Sequence, residues 1–288
     1  MQRAGFLLFV ILILLNVEYL AAQSAERAET ERPTMLGASL AYSFTGYRDE
    51  VESLSNRYLN TFTYMLDASF EKRKLNHLLN FNFFIGKPRM QAPYMGYNHK
   101  NSSSGRFCLS YTLDYNLWGG QAFPGYIGGT YRTLVQYAFI NDSDIYSPLA
   151  ALILFSLDLY ISQKWIINKK NSLVVSLGYP LLGYIIRPPY SGMDEIWERY
   201  LVEKSFFKML SLGKISSFHN YWAFFGDLKY YYRINALILL NGGLGFELSH
   251  INLPKYRPRK DAMFQLNIGI TFNFRRKHGK NSVLQEPD

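Results

Sequence analysis

A single cysteine, Cys108, in 288 residues leaves no partner for an internal disulfide. That cysteine and the five histidines show none of the spacings of a metal site. No apolar run reaches the roughly 18 residues that a membrane-spanning helix needs, which excludes a polytopic helical protein. No phosphate loop or dinucleotide fingerprint occurs, since Gly242-Gly243-Leu244-Gly245 lacks the helix such a motif requires. No cofactor and no metal is expected. Charged residues are sparse at 18%, while 48% of the chain is hydrophobic, too apolar for a disordered polypeptide. What is abundant is aromatic: 23 Tyr and 21 Phe bring aromatics to 17%. Such residues favour strands and membrane interfaces. The net charge of +9 would suit nucleic acid, but the first segment argues against that partner.

Residues 1–22 read as a secretory signal peptide. Arg3 gives a short basic start, Phe6 to Leu15 an apolar stretch of about ten residues, and Leu20, Ala21 and Ala22 a small-residue cleavage site. No cysteine follows, so no lipoprotein anchor is expected. Residues 23–34 are polar and form a flexible lead-in.

From Met35 onward apolar residues recur with period two. Leu36, Leu40, Tyr42 and Phe44 alternate with Gly37, Ser39, Ala41 and Ser43. The last run is the cleanest, with Phe264, Leu266, Ile268, Ile270, Phe272 and Phe274 against Gln265, Asn267, Gly269, Thr271 and Asn273. The pattern predicts strands at roughly 35–47, 57–71, 77–86, 105–118, 127–139, 149–164, 172–184, 218–232, 236–248 and 262–274. They exceed the usual 5 or 6 residues of a globular strand and suit the 9–11 of a tilted membrane strand. Short and long connections alternate, placing both chain ends on the side of the short turns. The expectation is an all-β fold: a single antiparallel transmembrane β-barrel of about ten strands spanning 35–274, followed by a basic periplasmic tail, 275–288. Closure follows because an open sheet edge does not survive in lipid. A secreted soluble β-sandwich that binds a ligand is the competing architecture.

The signal peptide, the alternating strands and the last strand ending at Phe274 together resemble Gram-negative outer-membrane β-barrel proteins. The segments Pro180-Leu181-Leu182-Gly183 and Pro188-Pro189-Tyr190 resemble parts of small uncharacterised barrel families. The resemblance implies an outer-membrane location, lipid and lipopolysaccharide as surroundings, and a terminal aromatic read by the barrel insertion machinery. Here Arg275 to Asp288 follow Phe274, so that aromatic is not at the chain's end.

Several constellations could carry function. Asp67, Asp114, Asp158 and Asp227 take polar-face positions on strands running toward the short turns, with Arg132, Lys229 and Arg233 as candidate partners. Such charges must be paired or wet. They form either a packed interior or a narrow pore for small solutes. Matching faces on the eighth and ninth strands demand an odd turn, most simply Arg233-Ile234-Asn235, with Asn235 tolerating a left-handed backbone. That register sets Ser249 opposite His219 with Glu247 on the same face, the residue types of a nucleophile, base and orienting carboxylate in a lipid-modifying hydrolase. No serine-hydrolase motif surrounds Ser249, and a hydrogen-bonded rim is the plainer reading.

In the long connection 185–217, Ser191 and Asp194 are spaced as a capping box. Ile196, Trp197, Tyr200, Leu201 and Phe207 follow at near-helical spacing, with Glu195, Arg199 and Glu203 four apart. A short amphipathic helix is expected in this outer loop, capping the mouth or meeting a protein partner. An extra hairpin, giving twelve strands, is the alternative. Arg257, Arg259 and Lys260 fall in the last outer loop and are candidates for lipopolysaccharide phosphates.

Overall fold

The computed structural model describes residues 34–49, 57–72, 74–90, 103–118, 123–139, 149–187, 208, 210–253, 255 and 257–274. The signal peptide, nearly all of the lead-in, the basic tail and the outer-loop helix with Ile196, Trp197, Tyr200, Leu201 and Phe207 lie outside the described residues.

The described residues form twelve strands in order: β1 (Thr34–Asp49), β2 (Arg57–Lys72), β3 (Leu75–Gly86), β4 (Arg89–Met90), β5 (Ser103–Trp118), β6 (Gly125–Phe139), β7 (Leu149–Ile166), β8 (Asn171–Ile186), β9 (Lys214–Ser216), β10 (Tyr221–Arg233), β11 (Ile238–Ile251) and β12 (Arg259–Phe274). Each long strand pairs antiparallel with its neighbours, and β1 pairs with both β2 and β12, so ten strands close a barrel. The short strands only extend it: β4 lies against β2, and β9 against β8.

Period two places each side chain. On β12 Ile268 is 71% exposed, whereas its neighbour Asn267 is 6% exposed. The same holds around the ring: Leu36, Phe62, Leu66, Leu109, Leu244 and Leu266 point outward, while Ser43, Thr63, Thr112, Ser162 and Gln265 are buried inside. A one-residue slip would reverse this and put the polar set on the apolar surface, so the register is strongly specified.

Outward aromatics meet from strand to strand. Tyr64, Phe83 and Phe107 stack in succession at 5.2 and 6.1 Å, and Phe107 reaches Tyr137 at 6.5 Å. Toward the turn end Phe70 stacks on His77 at 4.2 Å, and Phe272 meets Phe274 at 6.4 Å. Two aromatic bands bordering an aliphatic zone are the surface pattern of a barrel in lipid.

Two local features shape the wall. Opposite β7 the pairing jumps from Leu182 to Pro180, leaving Leu181 as the extra residue of a bulge. A bulge suits Pro180, which has no N–H to give to a ladder. The jump switches the inward parity of β8, so Pro180 and Gly183 both face inside while Leu181 is 49% exposed. Beyond it, β10 pairs with β8 only over Phe225–Tyr232, and β9 takes up Gly183 to Ile185.

The β10–β11 turn corrects the expected register. Arg233 pairs with Leu239, and Ile234 and Asn235 both donate toward the carbonyl of Ile238, at 3.0 and 3.4 Å. Asn235 does not end a three-residue loop. Its Oδ1 accepts from the N–H groups of Leu237 and Ile238, both at 2.8 Å, an Asx-type turn that lengthens the connection. Facing residues keep their side of the sheet, as the odd turn required, but each meets a different partner.

Candidate functional site

The inward positions define a filled upper lumen and a cavity toward the short turns. On β5 the even residues face inward, which brings Arg106, Cys108, Thr112 and Asp114 into the interior. On β11 the odd residues do so, including Asn241 and Glu247. From opposite sides of the barrel Arg106 Nη2 meets Glu247 Oε2 at 2.5 Å. Arg132 of β6 binds the other carboxylate oxygen at 3.2 Å and Asp158 of β7 at 3.2 Å. It also donates to the Tyr221 hydroxyl at 2.8 Å and lies 4.5 Å from the Phe225 ring centre. Two arginines and two carboxylates thus balance each other where an unpaired charge would be costly.

Around them the upper interior is apolar. Cys108, Leu134, Leu152, Leu154, Ile185, Tyr221, Ala223 and Ile251 form one buried cluster. Leu59, Phe84 and Met263 form another, and Met263 Sδ lies 3.7 Å from Arg106. Gly183 belongs to this fit, because a side chain there would come within 2.8 Å of the Tyr221 ring.

At the loop end a second ionic group closes the rim. Asp49 faces Arg259 in the β1–β12 register and accepts from its Nη1 at 3.3 Å. Arg259 holds Asp261 through Nε and Nη2, at 2.9 and 2.8 Å. Arg187, just past β8, pairs with Asp49 and donates to the carbonyls of Leu253 and Arg257, at 2.6 and 2.8 Å. Burial lowers the pKa of its guanidinium, and Asp49 opposes that shift. This group ties the β11–β12 connection down across the opening.

On the turn side the interior opens into a cavity of about 330 Å³. Arg106, Arg132, Glu247 and Met263 line one end of it. Residues near the strands' turn-side ends, such as Met35, Asn76, Lys164 and Ser172, also line it. Asp67, Asp227 and Lys229 reach it from β2 and β10.

The residues singled out in the sequence fall as follows. Asp67, Asp114, Asp158 and Asp227 all sit at inward positions, and Asp158 forms an ion pair with Arg132. Asp67 accepts from Asn80 at 3.2 Å and Asp114 from Asn76 at 3.5 Å. Arg233 is exposed at the turn end, and among the described residues it makes no ion pair. Ser249 and His219 are not brought together. Ser249 pairs with Ala223 and donates to Asp261 at 3.4 Å, while His219 lies exposed in the turn before β10. The longer β10–β11 turn is the cause, and Glu247 is committed to its two arginines. Arg259 is also displaced from its expected role: it opens β12 rather than ending a loop, is 2% exposed, and binds carboxylates inside the rim. Arg257 and Lys260 are exposed.

Arg106, Asp49 and Arg187 were missed. Arg106 shares the parity of Asp114 and was open to the same reasoning. Asp49 and Arg187 lie beyond the ends of the predicted runs, where alternation gives no face.

The chain matches no protein-family model, and no curated protein is similar to it. Solved structures resemble it to different degrees. Against the outer membrane protease OmpT from Escherichia coli the TM-score is 0.59, at 5% identity, covering 85% of this chain and 98% of that one. The translocator domain of the autotransporter NalP from Neisseria meningitidis gives 0.44 at 7% identity, over 92% and 97%. Neisserial surface protein A gives 0.36 at 10% identity, over 85% and 100%. The likeness to the outer membrane protease, at 5% identity, is one of fold.

Proposed function

We propose that this protein is exported through its first 22 residues and resides in the outer membrane as a non-enzymatic barrel with a closed lumen, a scaffold or interaction protein rather than an open pore. One observation carries the reading: Arg106, Glu247, Arg132 and Asp158 join across the interior, amid a buried apolar cluster. A ten-strand barrel has little free width once its inward side chains are large. Hydrated solutes find no polar path through Leu152, Leu154 and Tyr221, each nearly fully buried.

The surroundings follow from the surface. Lipid covers the exposed Phe, Leu and Ile columns, and the outward Phe274 is the aromatic that the insertion machinery reads. Exposed Lys260 and Arg257 at the loop end attract lipopolysaccharide phosphates. The long connections at that end are where a protein partner docks.

Reconstitution of the folded barrel into planar bilayers tests the closed lumen. No single-channel steps are expected, with a heat-dependent gel shift confirming that the protein is folded. Regular conductance steps from the unmodified chain would overturn the reading in favour of a pore. Resistance of the membrane-bound protein to carbonate extraction tests the location, and release into the wash would favour a soluble sandwich.

A further inference from the structure

We propose that the outer wall at the loop end binds one phosphorylated glycolipid of the outer leaflet, its phosphate held by Lys260 between Arg48 and His250 and its sugar laid on Trp222. The proposal deepens the reading of lipopolysaccharide phosphates at this end. It rests on the barrel standing in the outer membrane with its loops outward.

Register builds the site. On β12 Arg259 turns inward to Asp49 and Asp261, so its neighbour Lys260 turns outward and is exposed. The ladder sets Lys260 directly opposite Arg48 of β1 on one side and His250 of β11 on the other. His250 in turn faces Trp222 of β10, and the two rings stack at 5.9 Å. Four adjacent strands thus present three basic side chains and an indole in one line. Neighbouring strands stand about 4.8 Å apart, so the backbones of Arg48 and His250 are about 10 Å apart. The carboxylates of this end, Asp49, Asp261 and Glu247, have the opposite parity and serve arginines inside.

The line carries one sign of charge. Like charges set directly opposite each other in a ladder repel. Lys260 beside Arg48 is such a pair, and the edge of a lipid belt screens it less than open water does. An anion seated between them turns the repulsion into attraction. A phosphate has oxygens enough to meet an ammonium and a guanidinium together.

Depth selects a lipid as the carrier of that anion. Ile268, 71% exposed, stands near mid-wall. Lys260 lies about 20 Å from it along the membrane normal, at a rise of about 3.3 Å per residue and a tilt of about 40°. The apolar belt reaches only about 12 Å to either side of its middle. Lys260 therefore stands at headgroup height, on the wall rather than in a loop. Below it Ala262 faces Gly46, and below these come the exposed Phe264 and Phe44, also opposite one another. Acyl chains run down this apolar face from a headgroup fixed above. Trp222 selects a sugar. It is 41% exposed, and because β10 pairs with β8 only from Phe225 onward, no β8 residue pairs with it. A sugar ring stacks its C–H face on an indole, whereas a phospholipid headgroup would use the cations and leave the indole idle.

Native mass spectrometry on the full barrel in detergent tests the proposal, with diphosphoryl lipid A as the probe and phosphatidylglycerol and inorganic phosphate as comparisons. One lipid A should be retained per barrel, with both comparisons at least about tenfold weaker. Lys260→Ser should weaken lipid A binding by at least about tenfold, the loss of one charge contact. Lys169→Ser, at an exposed cation of the β7–β8 turn, should leave it unchanged. Trp222→Leu should bring lipid A down toward phosphatidylglycerol and leave phosphatidylglycerol as it was. The heat-dependent gel shift reports whether each variant folds, and the three-probe comparison on the parent needs no variant. Lipid A held equally by the parent and by Lys260→Ser overturns the proposal, as does a parent that holds phosphatidylglycerol or phosphate as tightly as lipid A. Carbonate extraction separates the two readings. A barrel released into the wash sinks the membrane location, and one that stays yet makes no distinction among the probes sinks only this site.

Discussion

Arg106 of β5 and Glu247 of β11 meet across the barrel's interior at 2.5 Å, although 141 residues separate them in sequence. Neither strand is the other's neighbour in the sheet. The contact therefore braces the ring from within, and it places a carboxylate between two guanidiniums.

Removing that carboxylate leaves Arg106 and Arg132 facing each other. Glu247→Ala should destabilise the barrel by about 3–5 kcal/mol, the cost of leaving buried charge uncompensated. Replacing the pair together, Arg106→Met with Glu247→Leu, should cost much less, because no orphan charge remains. Urea unfolding in detergent or vesicles reads both, and equal losses in the two proteins would show that the pair contributes no more than packing.

The closed lumen depends on one close fit. At Gly183 a Cβ would lie 2.8 Å from the ring of Tyr221, whose hydroxyl is held by Arg132. Gly183→Val should push that ring aside and cost about 1–3 kcal/mol, as overpacking does. If Tyr221 belongs to the seal, the same variant should also pass brief conductance events in planar bilayers that the parent lacks.

The rim network makes a different forecast. Arg187 ties Asp49 to the carbonyls of Leu253 and Arg257, so Asp49→Asn should loosen the β11–β12 connection while the wall below stays intact. Trypsin should cut after Lys255 faster, by about tenfold for each 1.4 kcal/mol of eased local opening, since Pro258 blocks cleavage after Arg257. The parent's protection should survive moderate salt, since buried pairs are little screened. Salt-induced cleavage of the parent would place the pair at the surface instead.

Much of the barrel could be read from alternation alone. The ten predicted runs coincide with the ten long strands to within a few residues, because one buried face and one outward face leave a period-two signal wherever a strand crosses. Alternation also put Asp158 and Arg132 on the same side. It did not reveal turn length. An odd connection satisfies parity whether Arg233 meets Leu239 or an earlier residue, and Asn235's side-chain bonds decide between them. Ser249 and His219 were separated by that choice. Contacts across the lumen were equally hidden, since nothing in a strand's own pattern says which inward residue faces it from the far wall. Arg187 and Asp49 lay where the pattern ends, so the pairing of Asp49 with both Arg187 and Arg259 was visible only in three dimensions.

The turn itself gives a direct check. Asn235 Oδ1 accepts two backbone N–H groups at 2.8 Å in the β10–β11 connection, and Asn168 Oδ1 accepts from Lys170 and Asn171 at 2.9 Å in the β7–β8 one. Asn235→Ala should lower stability by about 1–2 kcal/mol, from two modest hydrogen bonds. Asn235→Asp keeps the acceptor oxygen and should restore most of the loss in urea unfolding. A loss equal to that of Ala would mean that the side chain's bonds do not hold the turn.

The last expectation concerns the solvent that wets the outer wall. Ile268 is 71% exposed near the middle of β12, and its inward neighbour Asn267 is 6% exposed. In water an arginine at position 268 would be harmless, since exposed surface tolerates charge. In lipid it would face hydrocarbon, at a cost of about 2–4 kcal/mol near the midplane. Ile268→Arg should therefore unfold at markedly lower urea when the barrel is held in phospholipid vesicles. Lys260→Ala, at the loop end of the same strand and also outward, should change little. The contrast between the two depths separates a lipid-facing surface from an ordinary exposed one. Equal, negligible effects at both positions would leave the outward aromatic columns facing water.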